Sequence, residues 1–278
     1  MDVDTFNEFA DLALQGSGQH IAPAKSYLVE ARLSPIIRRE GFSSPLELAA
    51  CLQARPNKVL EAEIIAALTT KTTRFFTERE ALEYVVEQLL PARKQAGLGR
   101  LRVLCAGGSS GQEAYSLAML LNETPANVFH DTPIDIVSID ICENTTERAR
   151  SGHYGHFEVQ RGLSIHRLLK HFTRQEDGGW KISDDMRLQI GFRTHNLLEP
   201  LEGLGNFDVV LCRDVMTHMS LPVRSGISEN LMSVISPGGA LILGENEKLP
   251  IVSDDFYSVE TLRHAFIRKE REEEPVAA

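Results

Sequence analysis

The stretch from Leu101 to Leu121 constrains the fold most. Leu101-Arg-Val-Leu-Cys-Ala106 reads as a strand, Gly107-Gly-Ser-Ser-Gly111 as a tight loop and Gln112 to Leu121 as a helix. A strand that runs through a glycine loop into a helix belongs to a layered α/β architecture, because the helix must cover the sheet that the strand joins. The signal repeats. Ile134-Asp-Ile-Val-Ser-Ile139 is a second apolar strand, ending at Asp140, and Phe207-Asp-Val-Val-Leu-Cys212 and Ala240-Leu-Ile-Leu243 are two more. The helix between the last two is expected to end at Ser236-Pro-Gly-Gly239. Unbroken apolar strands alternating with helices predict a mostly parallel, Rossmann-like sheet covered on both faces. One segment departs from the alternation. Gly178 to Phe192 carries two short strand patterns around Ser183-Asp-Asp185, which predicts a small antiparallel β insertion at about 173–195.

Upstream the period changes. Phe6, Phe9, Leu12 and Leu14 begin one apolar stripe, and Tyr27, Leu28, Ala31, Leu33, Ile36 and Ile37 form a second at three-to-four spacing. Gly41 stops that helix, Ser44-Pro45 starts the next, and another spans Asn57 to Leu68. The expected organisation is an N-terminal helical domain over 1–76, a connecting helix over 77–99 and the α/β domain over 100–278. No apolar run approaches the roughly 20 residues that a membrane span needs. The start, Met1-Asp-Val-Asp, lacks a signal-peptide pattern, and Cys51, Cys105, Cys142 and Cys212 are widely spaced. Both features predict a cytoplasmic chain with reduced thiols and no metal site. The net charge of −10 argues against a nucleic-acid partner.

Two features carry chemistry. Gly107, Gly108 and Gly111 let the loop backbone approach a ligand closely, although the spacing is not the full dinucleotide fingerprint. Asp140 ends the next strand, where a carboxylate can accept both hydroxyls of a ribose. Loop and acid together predict an adenosine-bearing cofactor at the carboxyl ends of the strands.

Leu104-Cys-Ala-Gly-Gly-Ser-Ser-Gly-Gln-Glu-Ala-Tyr-Ser-Leu-Ala118 resembles the glycine motif of the chemotaxis-receptor methyltransferases (CheR type). Thr69-Thr-Lys-Thr-Thr-Arg-Phe-Phe76 resembles their Asn-x-Thr-x-Phe-Phe-Arg segment. Ala149-Arg-Ser-Gly-His-Tyr154, Phe192-x-x-x-Asn-Leu-Leu198, Phe207 to Arg213 and Pro237-Gly-Gly-x-Leu-x-x-Gly244 follow in the family's order. The resemblance implies a Rossmann-like methyltransferase domain. It also implies methyl transfer from S-adenosylmethionine, leaving S-adenosylhomocysteine, to glutamates on the cytoplasmic helical domain of a chemoreceptor. Such transfer needs alignment more than acid–base groups, since a carboxylate is already a nucleophile.

Carried over residue by residue, the resemblance places Lys71, Thr73, Thr77 and Gln112 at the cofactor's amino-acid end, and Asp140 on its ribose. Asn196, Leu197, Arg213 and Asp214 line its adenosine, and His218 stands with Arg213 near the reacting methyl. Several of these depart from the family pattern: Lys71 replaces asparagine, Thr77 arginine, Gln112 glutamate, Asp214 asparagine and His218 tyrosine. A weakened or non-catalytic, nucleotide-binding relative is therefore the alternative to an active enzyme. Lys25, Arg32, Arg38 and Arg39 make the first helices locally basic and predict the receptor-docking surface of a monomer.

Overall fold

The structure, a computed structural model, describes residues 1–70, 72–125, 127–251 and 253–270. The described chain divides into two compact units. The first is Met1–Thr72 with Met216–Gly226, and the second is the remainder.

In the first unit, α1 (Val3–Ser17), α2 (Ser26–Glu40), α3 (Pro45–Ala54) and α4 (Lys58–Leu68) pack around one core. Local chemistry sets their ends. The Asp2, Ser44 and Asn57 side chains accept hydrogen bonds from first-turn N–H groups, and Gly41 closes α2 in the left-handed conformation. Phe9, Val29, Leu33, Leu48, Ile64 and Leu68 are almost wholly buried. Tyr27, read from the sequence as part of the α2 stripe, is 64% exposed. Val29 supplies the inward position, because the buried face runs through Val29, Leu33, Ile36 and Ile37 at helical spacing.

The second unit is built on seven strands in the order β6-β2-β1-β7-β8-β10-β9. These are β1 (Leu101–Ala106), β2 (Ile134–Asp140), β6 (Ile190–Thr194), β7 (Phe207–Cys212), β8 (Ile235–Leu243), β9 (Phe256–Ser258) and β10 (Ala265–Arg268). The first five pair in parallel, while β10 is antiparallel to both neighbours. Strand order reverses between β1 and β7, the crevice where open α/β sheets hold their ligands. The short strands β3 (His153–Tyr154), β4 (Phe172–Arg174) and β5 (Trp180–Ile182) form a separate antiparallel sheet.

Two expectations are corrected. The second half of the expected β insertion, Ile190–Thr194, belongs to the main sheet, parallel to β2. It alternates buried and exposed residues because it is an edge strand, and period alone does not separate that from a hairpin arm. Ser236-Pro-Gly-Gly239 lies within β8 rather than closing a helix, which ends at Ser233. Within residues 77–99, Arg79–Gln95 is helical, through a π-turn at Val85–Leu89, and buries Leu82, Val85 and Leu90 in the second unit's core. An apolar stripe on that segment already has the sheet as its partner.

Candidate active site

The carboxyl ends of β1, β2 and β7 lie side by side, since Ala106 pairs with Ile139 and Cys105 with Leu211. The glycine loop leaves β1 there and enters α5 (Gln112–Glu123). Gly107 and Gly108 N–H both donate to the Ile139 carbonyl at 2.9 Å. Room is lacking for any side chain on Gly108, whose Cβ would fall 2.0 Å from Ser138 Oγ. Ser109 adopts a left-handed conformation that turns its N–H onto Asp140 Oδ2 at 3.0 Å. Asp140 Oδ1 accepts from Cys142 N at 2.9 Å, and the residue is 8% exposed. A carboxylate offers about four acceptor sites, so it can brace the loop and serve a ribose together.

A charged cluster stands beside the loop. The Arg213 side chain, at the end of β7, is 3% exposed. Its Nη1 donates to Glu113 Oε2 at 2.9 Å, and its Nη2 donates to Glu78 Oε2 at 3.0 Å and the Thr77 carbonyl at 2.5 Å. Glu78 Oε1 accepts from Glu245 N at 3.0 Å, past the end of β8. Glu247, also buried, accepts from Asp214 N and Gly244 N at 2.9 and 3.1 Å. Two carboxyls, Glu78 and Glu113, thus share one guanidinium, and the neighbouring Asp214 carboxyl feels its charge.

Burial pushes the Glu113 carboxyl above the usual carboxylate range, and Arg213 pulls it only part of the way back. Desolvation, then the Glu78 charge, raises Asp214 as well. For Arg213 burial works against the charge, but Glu113 and Glu78 outweigh it and the pKa rises. The cluster is short of positive charge, which suits a ligand carrying a sulfonium and an ammonium.

The structure brings Thr77, Gly107, Gly108, Gly111, Gln112, Asp140, Arg213 and Asp214 to this edge of the sheet. Gln112 is 2% exposed and its Oε1 accepts from the Ser110 hydroxyl at 2.8 Å. Asn196 lies just beyond β6, where Asp140 pairs with Thr194; its Oδ1 accepts from Leu198 N at 3.1 Å, and Leu197 is buried. Thr73 opens the second unit, and Lys71 lies outside the described residues. His218 is exposed in the first unit, where its carbonyl accepts from His20 N at 3.0 Å. The sequence reading missed Glu78, Glu113 and Glu247. Glu113 stands in the glycine motif itself, while Glu78 and Glu247 carry no local pattern.

A carboxylate at the end of β2 beside a glycine loop, at the switch point of a mostly parallel sheet, is the arrangement that α/β enzymes use for nucleoside cofactors. The CheR methyltransferase SAM-binding domain model matches residues 71–265, and the CheR methyltransferase all-alpha domain model matches residues 4–69. The chemotaxis protein methyltransferase Cher2 of Pseudomonas putida is 31% identical over 263 residues, covering 94% of each chain. Chemotaxis protein methyltransferase 1 of Pseudomonas aeruginosa is 33% identical over 239 residues, covering 85% of this chain and 87% of the relative. The chemotaxis protein methyltransferase of Vibrio parahaemolyticus is 31% identical over 255 residues, covering 91% and 92%. The chain belongs to the CheR methyltransferase family, and its cofactor is S-adenosylmethionine.

Removing Arg213 should expose the cost of the cluster. Arg213→Met leaves Glu78 and Glu113 without their cation and should destabilise the fold by about 3–5 kcal/mol near pH 8. A carboxyl whose folded pKa is raised binds protons more readily folded than unfolded, so it favours folding at low pH and loses that contribution as pH rises through the folded value. Losing Arg213 raises that value further. Urea unfolding should therefore show a smaller deficit at pH 5 than at pH 8, and equal deficits would contradict this account.

Proposed function

We propose that this chain is a cytoplasmic protein-glutamate O-methyltransferase that esterifies glutamates on the helical cytoplasmic domain of chemoreceptors. The observation that carries the reading is the two-part match: both the all-alpha domain and the SAM-binding domain of the family run through it in order. Among the described residues, no helix is long and apolar enough to cross a membrane.

Bound S-adenosylmethionine supplies an activated methyl on a sulfonium. Asp140 holds the ribose hydroxyls while its bonds to Ser109 and Cys142 keep the loop and the following turn in place. Asn196 and Leu197 border the adenosine, and Thr73, Gln112 and Lys71 serve the amino-acid end. Asp214 and the Glu78–Glu113 pair favour the ligand's positive charge. Arg213 works as a positioning residue, because its donors are engaged by Glu78, Glu113 and Thr77. His218 is assigned to the methyl-transfer end. The acceptor carboxylate attacks directly, so alignment and charge stabilisation carry the rate.

The defining test is transfer of labelled methyl from S-adenosylmethionine to a purified receptor cytoplasmic domain. The label should be released as methanol by mild base, as a carboxyl ester requires; base-stable label would rule out glutamate esterification.

Asp140→Ala should weaken S-adenosylhomocysteine binding by roughly 1.5–3 kcal/mol, the worth of a hydrogen bond to a charged group. Calorimetry showing unchanged affinity in a folded variant would remove Asp140 from the site.

The four basic residues expected to face a receptor divide into two groups. Arg32 Nη1 donates to the Leu68 carbonyl at 2.5 Å, and Arg39 pairs with Glu40 and Glu63. Lys25 and Arg38 are exposed, and among the described residues neither forms a salt bridge. Lys25→Glu with Arg38→Glu should slow receptor association and flatten its salt dependence, while Arg39→Glu should do so less. Stopped-flow association at two ionic strengths distinguishes these outcomes.

A further inference from the structure

The small antiparallel sheet reaches the glycine loop through one side chain. Tyr154, at the end of β3, is 0% exposed, and its hydroxyl donates to the Ser110 carbonyl at 2.6 Å. The same peptide unit is held from its other side, where Gly111 N–H donates to the Gly108 carbonyl at 3.0 Å. The Ser110–Gly111 peptide plane is therefore clamped at both ends. It is the plane through which the loop turns into α5, with Gly111 in the left-handed conformation. The Tyr154 ring sits edge-on to Phe75 and Phe172 at 5.1 and 6.2 Å between centroids, so the hydroxyl has little freedom to leave. Burial raises its pKa well above that of a free phenol, which keeps the donor proton in place.

We propose that Tyr154 is a positioning residue for the cofactor: through its hydroxyl, the small sheet sets the orientation of the glycine loop against S-adenosylmethionine. The inference rests on the reading that the loop and Asp140 bind the cofactor. Without the hydroxyl the Ser110 carbonyl has lost its clamp, and the peptide plane can rotate. Loop N–H groups and the Asp140 contact would then meet the ligand in a distribution of orientations. Because the effect is on ligand alignment, it should register in cofactor affinity beyond any loss of stability.

Tyr115 supplies the control. It too is 0% exposed, and its hydroxyl donates to the Ala149 carbonyl at 2.8 Å rather than to a loop carbonyl. Tyr154→Phe and Tyr115→Phe each remove one buried hydroxyl while retaining the ring. S-adenosylhomocysteine affinity is measured by calorimetry for both, with Asp140→Ala alongside and with urea midpoints for all. The expected result is similar stability loss in the two tyrosine variants, with affinity about five-fold weaker in Tyr154→Phe and within two-fold of the parent in Tyr115→Phe. The KM for S-adenosylmethionine should rise in parallel. Equal affinities for the two tyrosine variants, with Asp140→Ala weakened, would overturn the role of Tyr154 and leave the loop as the cofactor site. Unchanged affinity in Asp140→Ala would overturn both.

Discussion

One buried guanidinium organises the site. Arg213 joins the end of β7 to the Thr77–Glu78 turn and to Glu113 in the first turn of α5, and Glu78 extends the connection to Glu245 beyond β8. A buried charge is costly unless paired and hydrogen-bonded, so this arginine forces its partners to converge. The turn that brings Glu78 in has left-handed residues at Phe76 and Glu78, an unfavourable backbone that needs outside support. The support is present. Phe76 N–H donates to Ser116 Oγ at 2.9 Å, and Arg167, held on both Glu123 oxygens, lies 4.1 Å from the Phe76 ring centroid.

Such a frame matches chemistry that asks for alignment. On the proposed reading the nucleophile and the electrophile both arrive activated, one on the protein substrate and one on the cofactor. What the chain contributes on that reading is a rigid loop, a carboxylate for the ribose and an electrostatic bias. Asp140 links the first two, since the carboxylate assigned to the ribose also holds Ser109 N. The bias comes from the Glu78, Glu113 and Asp214 carboxyls clustered around Arg213, an arrangement that favours a positively charged ligand.

The positions expected to depart from the family pattern read differently in three dimensions than along the chain. Gln112 is occupied by the Ser110 hydroxyl, Thr77 contributes its carbonyl to Arg213, and Asp214 contributes its N–H to Glu247. Each of these positions serves the scaffold through an atom that the substitution leaves available or replaces with an equivalent acceptor. The frame is thus compatible with these substitutions.

The class of fold and the strand–loop–acid unit at its centre were legible in the sequence. Parallel strands buried on both faces leave long apolar runs, and a glycine loop followed by a strand-end acid is a local signature, so both are legible from short windows. The helix ends of the first unit were legible for the same reason, because a cap is a contact between near neighbours. Tertiary structure alone decided the rest. Whether Ile190–Thr194 joined the small sheet or the edge of the large one depended on the partner strand, since a half-buried strand shows the same period in either place. Glu78 and Glu247 became site residues only because the fold carried them to Arg213 and Asp214, across 135 and 33 residues of chain. A charge acts through distance in space, and pattern reading along one sequence has no measure of that distance.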